Sequence, residues 1–290
     1  MTDISHIGRA DPLFPADLWH LVDPPKELFF RGQFHLLQDK HPLVGIVGTR
    51  RADPTGRRLS RRVGELLAQA GCTVVSGLAL GIDAEAHHGA LKAGGHTVAV
   101  LGSGLADRTI TPQQHLGLAQ QIAAHGGLLL SEYPPTYPAG KYTYPARNRI
   151  IAALVSHLIV IQAPVGSGAL ITVDHALQLG KSVAAFPGPS LNAAWAGTNQ
   201  LLQQGAEVLC EPEDALQWLG LTGQQALPLA KNPEGHGIIE LLLQEALSTE
   251  ELVQKSGKSV AQILHELSSL ELAGQVWRVA GKWTARVQKS

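Results

Sequence analysis

Two stretches of the chain gather cations of the kind that hold phosphate. Between Arg50 and Arg62 stand six arginines (50, 51, 57, 58, 61 and 62) against a single acid, Asp53. From Tyr133 to Val173 there is no acid, while Lys141, Arg147 and Arg149 stand among Tyr133, Tyr137, Tyr142 and Tyr144. Cations interleaved with aromatic rings suit single-stranded nucleic acid, because the charges meet the backbone and the rings stack on bases. The first stretch also has a plainer reading. On a helix starting near Gly56, Arg57, Arg58, Arg61 and Arg62 share one side, as residues of a solvated face do.

A second group of residues can bring backbone amides close to a ligand. The segments Gly48-Thr49-Arg50-Arg51, Ser76-Gly77-Leu78-Ala79-Leu80-Gly81, Gly102-Ser103-Gly104, Ser131-Glu132-Tyr133-Pro134, Gly166-Ser167-Gly168 and Pro187-Gly188-Pro189 are rich in small residues. Exposed amides and helix N-termini favour phosphate. One such loop is ordinary turn chemistry; the recurrence is what points to a ligand edge. Catalytic signatures do not complete. Gly180-Lys181-Ser182 imitates the end of a P-loop, but the first glycine of that motif would fall on His175. The thirteen histidines are scattered, and His87-His88 reads as helix surface or core packing. No catalytic residue, metal or cofactor is expected. Asp83, Asp107, Glu132 and Asp174 are the acids nearest the expected ligand edge, with Asp83 read as a helix N-cap.

Loops of this kind need a scaffold, and the sequence supplies one from Pro42 onward. A short apolar run, a small-residue loop and an amphipathic stretch closed by glycine recur, the pattern of βα units on a parallel sheet. The strands are predicted at Leu43 to Val47, Thr73 to Val75, Thr97 to Leu101, Leu128 to Leu130, Leu158 to Ile161, Ser182 to Phe186 and Val208 to Leu209. Their continuous hydrophobicity fits strands covered on both faces. Gly71, Gly94, Gly126, Gly180 and Gly205 stand where a residue just past a helix needs positive φ. Residues 1–41, with the strand-like Leu28-Phe29-Phe30, read as a lead-in packed on the main domain, which spans 42–221.

Residues 222–235 read as a linker. The remainder, 236–290, holds a helix around Ile238 to Leu243, a second that Ser248 or Thr249 can cap, a third from Ser259 to about Leu272, and a hairpin through Gln275 to Val279 and Gly281 to Trp283. That is a winged-helix-like arrangement. Its third helix carries Gln262, His265, Glu266 and Glu271 rather than arginines, which favours a protein contact or regulatory role over duplex reading. The fold class is therefore α/β: an extended Rossmann-like parallel sheet with a small C-terminal winged-helix-like domain.

Composition narrows the class further. The 290 residues are 44% hydrophobic and 16% charged, which excludes wholesale disorder, and 23 Lys and Arg against 24 Asp and Glu leave no global field to draw polyanions or membranes. Cys72 and Cys210 lack zinc-ligand spacing and read as buried hydrophobes. Without a long apolar run or a leader pattern at the start, a cytoplasmic protein is expected.

Taken together, the loop motifs resemble a known family. Gly45-Ile46-Val47-Gly48-Thr49-Arg50, Ser76-Gly77-Leu78-Ala79-Leu80-Gly81-Ile82-Asp83, Tyr144-Pro145-Ala146-Arg147-Asn148-Arg149-Ile150-Ile151, Gly166-Ser167-Gly168-Ala169-Leu170-Ile171-Thr172, Phe186-Pro187-Gly188 and Gly197-Thr198-Asn199 match the DNA-processing protein A (DprA/Smf) family in order and spacing. The resemblance runs from about Pro15 to Leu219. It implies a mediator, not an enzyme, that binds and protects single-stranded DNA, dimerises, and delivers the strand to the RecA recombinase during natural transformation. Carried over by motif, it places Arg50 on a phosphate, Lys141 on the backbone and Tyr144 under a base. Arg147, Asn148, Gly166, Ser167 and Gly168 complete that pocket, with Gly48, Thr49, Ser76 and Gly77 in the adjoining loops. Arg51, Arg57 and Arg58 are candidates for secondary DNA contacts, and Leu201 and Leu202 for a homodimer interface. Two departures stand out: the stretch before Pro15 is too short for the helical domain that begins many members, and the loop from Leu105 to Pro112 is longer than usual and lacks a tyrosine. The competing reading is a nucleotide-binding Rossmann enzyme of the phosphoribohydrolase type. Its glutamate-bearing loop has no counterpart at Gly166-Ser167-Gly168-Ala169-Leu170, which leaves Glu132 without a catalytic partner. A small-nucleotide sensor is a third reading.

Overall fold

The computed structural model describes residues 3–39 and 41–221 and, beyond these, 238, 241–242, 245–256, 260, 263–264, 267, 270, 276–279 and 282–285. Internal contacts divide the chain into Met1–Leu227 and Pro228–Ser290.

The larger unit contains β1 (Ser5–Gly8), β2 (Glu27–Gly32), β3 (Leu43–Val47), β4 (Thr73–Ser76), β5 (Thr97–Val100), β6 (Leu128–Ser131), β7 (His157–Val160), β8 (Ser182–Ala185) and β9 (Glu207–Val208). They form one 9-stranded sheet in the order β1-β2-β6-β5-β4-β3-β7-β8-β9. The strands from β3 onward pair in parallel, as their apolar runs require. The lead-in, expected to pack on the main domain, extends the sheet itself. Its β1 and β2 join the sheet as antiparallel strands, with β2 paired to β6. An antiparallel neighbour needs no crossover helix, so a chain entering from outside the βα pattern can occupy that edge.

The helices are α1 (Pro54–Gln69), α2 (Ile82–Lys92), α3 (Leu116–Ala124), α4 (Thr143–Leu154), α5 (Gly168–Gln178), α6 (Ala196–Gln203) and α7 (Asp214–Trp218). Each glycine predicted to follow a helix has positive φ, at Gly71, Gly94, Gly126, Gly180 and Gly205. Successive strand residues feed opposite layers: Leu158 and Val160 pack with Ile150 to Leu154 of α4 and Val173 of α5, while Ile159 and Ile161 pack with Val63 and Leu67 of α1.

Two expectations need correction here, those for Leu201 and Cys210. Leu201 is buried, beside Val183 and Ala185 of β8 in one core cluster, so it offers no free apolar face for the dimer interface assigned to it, while Leu202 is only partly buried against that cluster. Cys72 is buried and its thiol is pushed up to about 11 by burial. Cys210 instead is exposed.

In the smaller unit, Ser248 Oγ accepts from the Glu251 amide and Glu251 Oε2 accepts from the Ser248 amide, a reciprocal capping box for α8 (Thr249–Ser256). β10 (Val276–Val279) and β11 (Lys282–Ala285) pair antiparallel, and Leu247 bridges to Trp283 on the other side. Ile238, Leu242, Leu247, Leu252, Ile263, Leu267, Val276 and Trp283 form its core. Arg278 lies over the Trp283 ring and Lys282 pairs with Glu251. The linker expected at 222–235, and Gln262, His265, Glu266, Glu271, Arg286 and Lys289, lie outside the described residues. Among the described residues no helix is long and apolar enough to cross a membrane.

Candidate nucleic-acid interface

From β3 the chain winds one way through β4 and β5 and later the other way through β7 and β8. The loops leaving β3 and β7 therefore diverge, and a crevice opens at the carboxyl ends of those strands. A cavity of about 800 Å³ occupies this place. Gly48, Thr49, Arg50 and Arg51 line it from the loop after β3, Ala79 and Asp83 from the loop after β4 and the start of α2, and Ser167 and Gly168 from the turn before α5. Lys141, Tyr144, Arg147 and Asn148, in and before the first turns of α4, close it. Ser167 caps α5, its side chain accepting from the Ala169 amide, so the N-terminus of an 11-residue helix opens on the cavity. Such an end carries unpaired amides and positive potential suited to an anion.

At the mouth the exposed cations meet aromatic rings. The guanidinium of Arg50 lies 4.7 Å from the centroid of Tyr144, and the ammonium of Lys141 lies 4.8 Å from the centroid of Tyr142. Lys141 thus covers a different ring from the tyrosine three residues on with which the sequence pairs it.

Deeper in, Arg147 behaves unlike Arg50. It is buried, donates from Nη1 to the carbonyls of Gly77 and Val100, and donates from Nε to Asn148 Oδ1. Asn148 Nδ2 in turn donates to the Gly168 carbonyl, so a chain of bonds ties the loop after β4 to the start of α5. A Cβ on Gly77 would run into the Arg147 guanidinium, which is why that position is glycine. Arg147 is a wall and a strut at once.

Asp83, which the sequence set near the ligand edge and read as a helix N-cap, is not the cap and lines the cavity instead. It is the second residue of α2, whose N-cap is Gly81, and its Oδ2 accepts from the amides of Gly77 and Ala79. Burial pushes its carboxyl up, against the opposing pull of Arg147, the two amides and Arg50. Burial likewise pushes the Arg147 guanidinium down. The two groups thus partly neutralise one another, and the cavity's available positive charge sits at its mouth.

A residue the sequence did not single out is Gln162, just beyond β7 and fully buried. Its carbonyl accepts from the Thr49 amide at 2.7 Å, its Oε1 accepts from the Asp53 amide, and its Nε2 donates to Asp53 Oδ2. Asp53 also caps α1 through the Gly56 amide and accepts from Trp195 Nε1. Burial opposes the Asp53 carboxylate, but these hydrogen bonds outweigh it and hold its pKa below the usual range. Asn199 donates to and accepts from the Gly188 backbone. The loops after β3, β7 and β8 are thereby one braced frame. A lone glutamine after a strand gives no pattern by which sequence reading could find it.

The family model for DNA recombination-mediator protein A matches residues 5–220, and that for the DprA winged helix domain matches residues 223–282. The chain belongs to the DprA family. Protein Smf of Escherichia coli (strain K12) is 37% identical over 289 residues, covering 95% of this chain and 76% of that protein. The crystal structure of DprA from Streptococcus pneumoniae is 37% identical with a TM-score of 0.68, covering 74% of each chain. The DprA structure from Helicobacter pylori, described for its single-stranded DNA binding mode, is 30% identical with a TM-score of 0.67, covering 75% of this chain and 96% of that one.

Not every residue suggested by the DprA resemblance reaches the cavity. Ser76 is buried and donates to the Ile46 carbonyl, Gly77 lies behind Arg147, and Gly166 shapes the turn with a φ of 74°. None of the three is in the lining. Arg57 and Arg58 stand on exposed positions of α1 away from the lining, and Arg57 shares Glu85 with Arg61, which fits the solvated-face reading. Of the acids singled out, only Asp83 lines the cavity: Asp107 pairs with Arg31, Glu132 with Arg149, and Asp174 is exposed.

Proposed function

We propose that the cavity at the β3/β7 switch point seats a phosphate and a base of single-stranded DNA, and that the chain is a non-catalytic mediator of DNA recombination in natural transformation. The Arg50–Tyr144 pair at the cavity mouth carries the reading, since it sets a cation for the backbone beside a ring for a base. Membership of the DprA family and the single-strand binding of the H. pylori relative support it. In this role Arg50 and Lys141 hold phosphates, Tyr144 stacks, and the cap of α5 with Asn148 and Gly168 bounds the pocket. The bound strand is protected and then handed to a RecA-type recombinase in the cytoplasm, with the mediator acting as a homodimer. The phosphoribohydrolase alternative is not favoured, because Glu132, the acid it would use, is engaged by Arg149.

Fluorescence anisotropy with matched single-stranded and duplex oligonucleotides across a salt series tests the binding. Tighter single-strand binding that weakens linearly with log salt is expected; equal affinity for both forms sinks the proposal. The hand-over is tested by recombinase filament assembly on single strands with and without the protein, and the dimer by light scattering at micromolar concentration, where a monomer mass counts against it.

A further inference from the structure

We infer that Tyr142, covered on one side by Lys141 from the cavity lining, forms a second base platform outside the cavity, so that the site holds at least two successive nucleotides of a single strand. The inference rests on the reading of the cavity given above. All four tyrosines of the chain fall between Tyr133 and Tyr144, within a stretch free of acids to Val173. Their environments differ. Tyr133 and Tyr137 stack on one another with centroids 4.8 Å apart, which accounts for both as loop packing. Tyr144 is half-buried under Arg50. Tyr142 is 76% exposed and makes no side-chain cap hydrogen bond at the N-cap of α4.

A single exposed aromatic residue means little. Here it is one of two cation–aromatic pairs flanking a fixed point. Thr143, between the two rings, is buried, and its hydroxyl accepts from the Gly140 amide and donates to the Gly140 carbonyl. The two rings are therefore held on either side of a pinned residue, one inside the cavity mouth and one in solvent. Lys141 lines the cavity and also covers Tyr142. It is thus placed for the phosphate between a base on Tyr144 and a base on Tyr142. Stacking accepts any base, so the ligand class is a single strand of two or more nucleotides without sequence preference.

Tyr142→Ala, which truncates a mostly exposed side chain, is expected to melt like the parent. It should weaken binding of an oligothymidylate by about 5- to 150-fold, the worth of one stacked base, with the salt slope unchanged, and Tyr142→Phe should restore affinity. Photocross-linking to a 5-iodouracil-substituted oligonucleotide should label both Tyr142 and Tyr144. Parent-like affinity of Tyr142→Ala, or labelling of Tyr144 alone, overturns the second platform while leaving the cavity reading intact. Parent-like affinity of both Arg50→Ala and Tyr144→Ala overturns the cavity reading, and this inference with it.

Discussion

Arg50, in the loop after β3, and Tyr144, in the first turn of α4, stand almost a hundred residues apart in the chain, yet the guanidinium of one lies over the ring of the other at 4.7 Å. One face of the ring is therefore already covered by a cation, and on the proposed reading a base stacks on the other. The two should fail differently. Arg50→Ala should weaken binding of every sequence and reduce the slope of log affinity against log salt by roughly 0.7, the value for one lost phosphate contact on a single strand. Tyr144→Ala should cost about 1–3 kcal/mol of binding and leave that slope nearly unchanged, and Tyr144→Phe should be mild. Anisotropy titrations at several salt concentrations separate these patterns; identical slopes for the two alanine variants would contradict the division of labour.

Arg147 should behave as a structural residue first. Replacing it with alanine strips the Gly77 and Val100 carbonyls of their donor and leaves Asp83 buried without its nearest cation. A loss of about 3 kcal/mol or more is expected in urea unfolding. Gly77→Ala should fall in the same direction, because the new methyl displaces the guanidinium. A variant of Arg147 that unfolds like the parent but no longer binds DNA would make it a direct contact instead.

The contrast between Arg50 and Arg147 marks how far the sequence could be read. The parallel core was legible because strands buried on both faces must be continuously apolar and helices ending in a left-handed residue favour glycine. The loops at the ligand edge were legible for the same reason. Burial of an individual arginine was not, since Arg147 and Arg149 follow the same aromatic run and only the tertiary fold puts one against Gly77 and the other against Glu132. Leu201 shows the converse error: an apolar residue on a helix looks the same whether it faces β8 or a partner. Gln162 and Trp195 act on Asp53 across more than a hundred residues of chain, a separation at which no local pattern survives.

Removal of residues 228–290 should leave single-strand affinity within about tenfold, or 1.4 kcal/mol. Every residue lining the cavity belongs to the unit Met1–Leu227. Arg278 and Lys282 are the described cations of the hairpin, and each already has a partner, the Trp283 ring and Glu251. A larger loss in anisotropy titrations of the truncated protein would make the hairpin a binding element in its own right.

His87 should make the larger unit sensitive to mild acid. It is fully buried, and its Nδ1 lies 2.7 Å from the Thr97 hydroxyl, which itself donates to the Val74 carbonyl. The hydroxyl must therefore accept from His87, which fixes the Nδ1–H tautomer and leaves Nε2 buried with no partner. Burial, aided by His88, His115 and Arg147, pushes its pKa down to about 3. An unfolded chain takes up this proton as pH falls below about 6.5, whereas the folded chain does so only near 3. Between those limits the unfolded state binds more protons, so stability falls as pH falls, by up to about 1.4 kcal/mol per pH unit from this group. His88, His157 and His175 are also shifted down by burial and add to the slope in any variant that keeps them. The contribution of His87 is therefore a difference: urea unfolding at pH 7, 6 and 5 should show a shallower loss in His87→Gln than in the parent, and parallel losses would remove His87 as the cause.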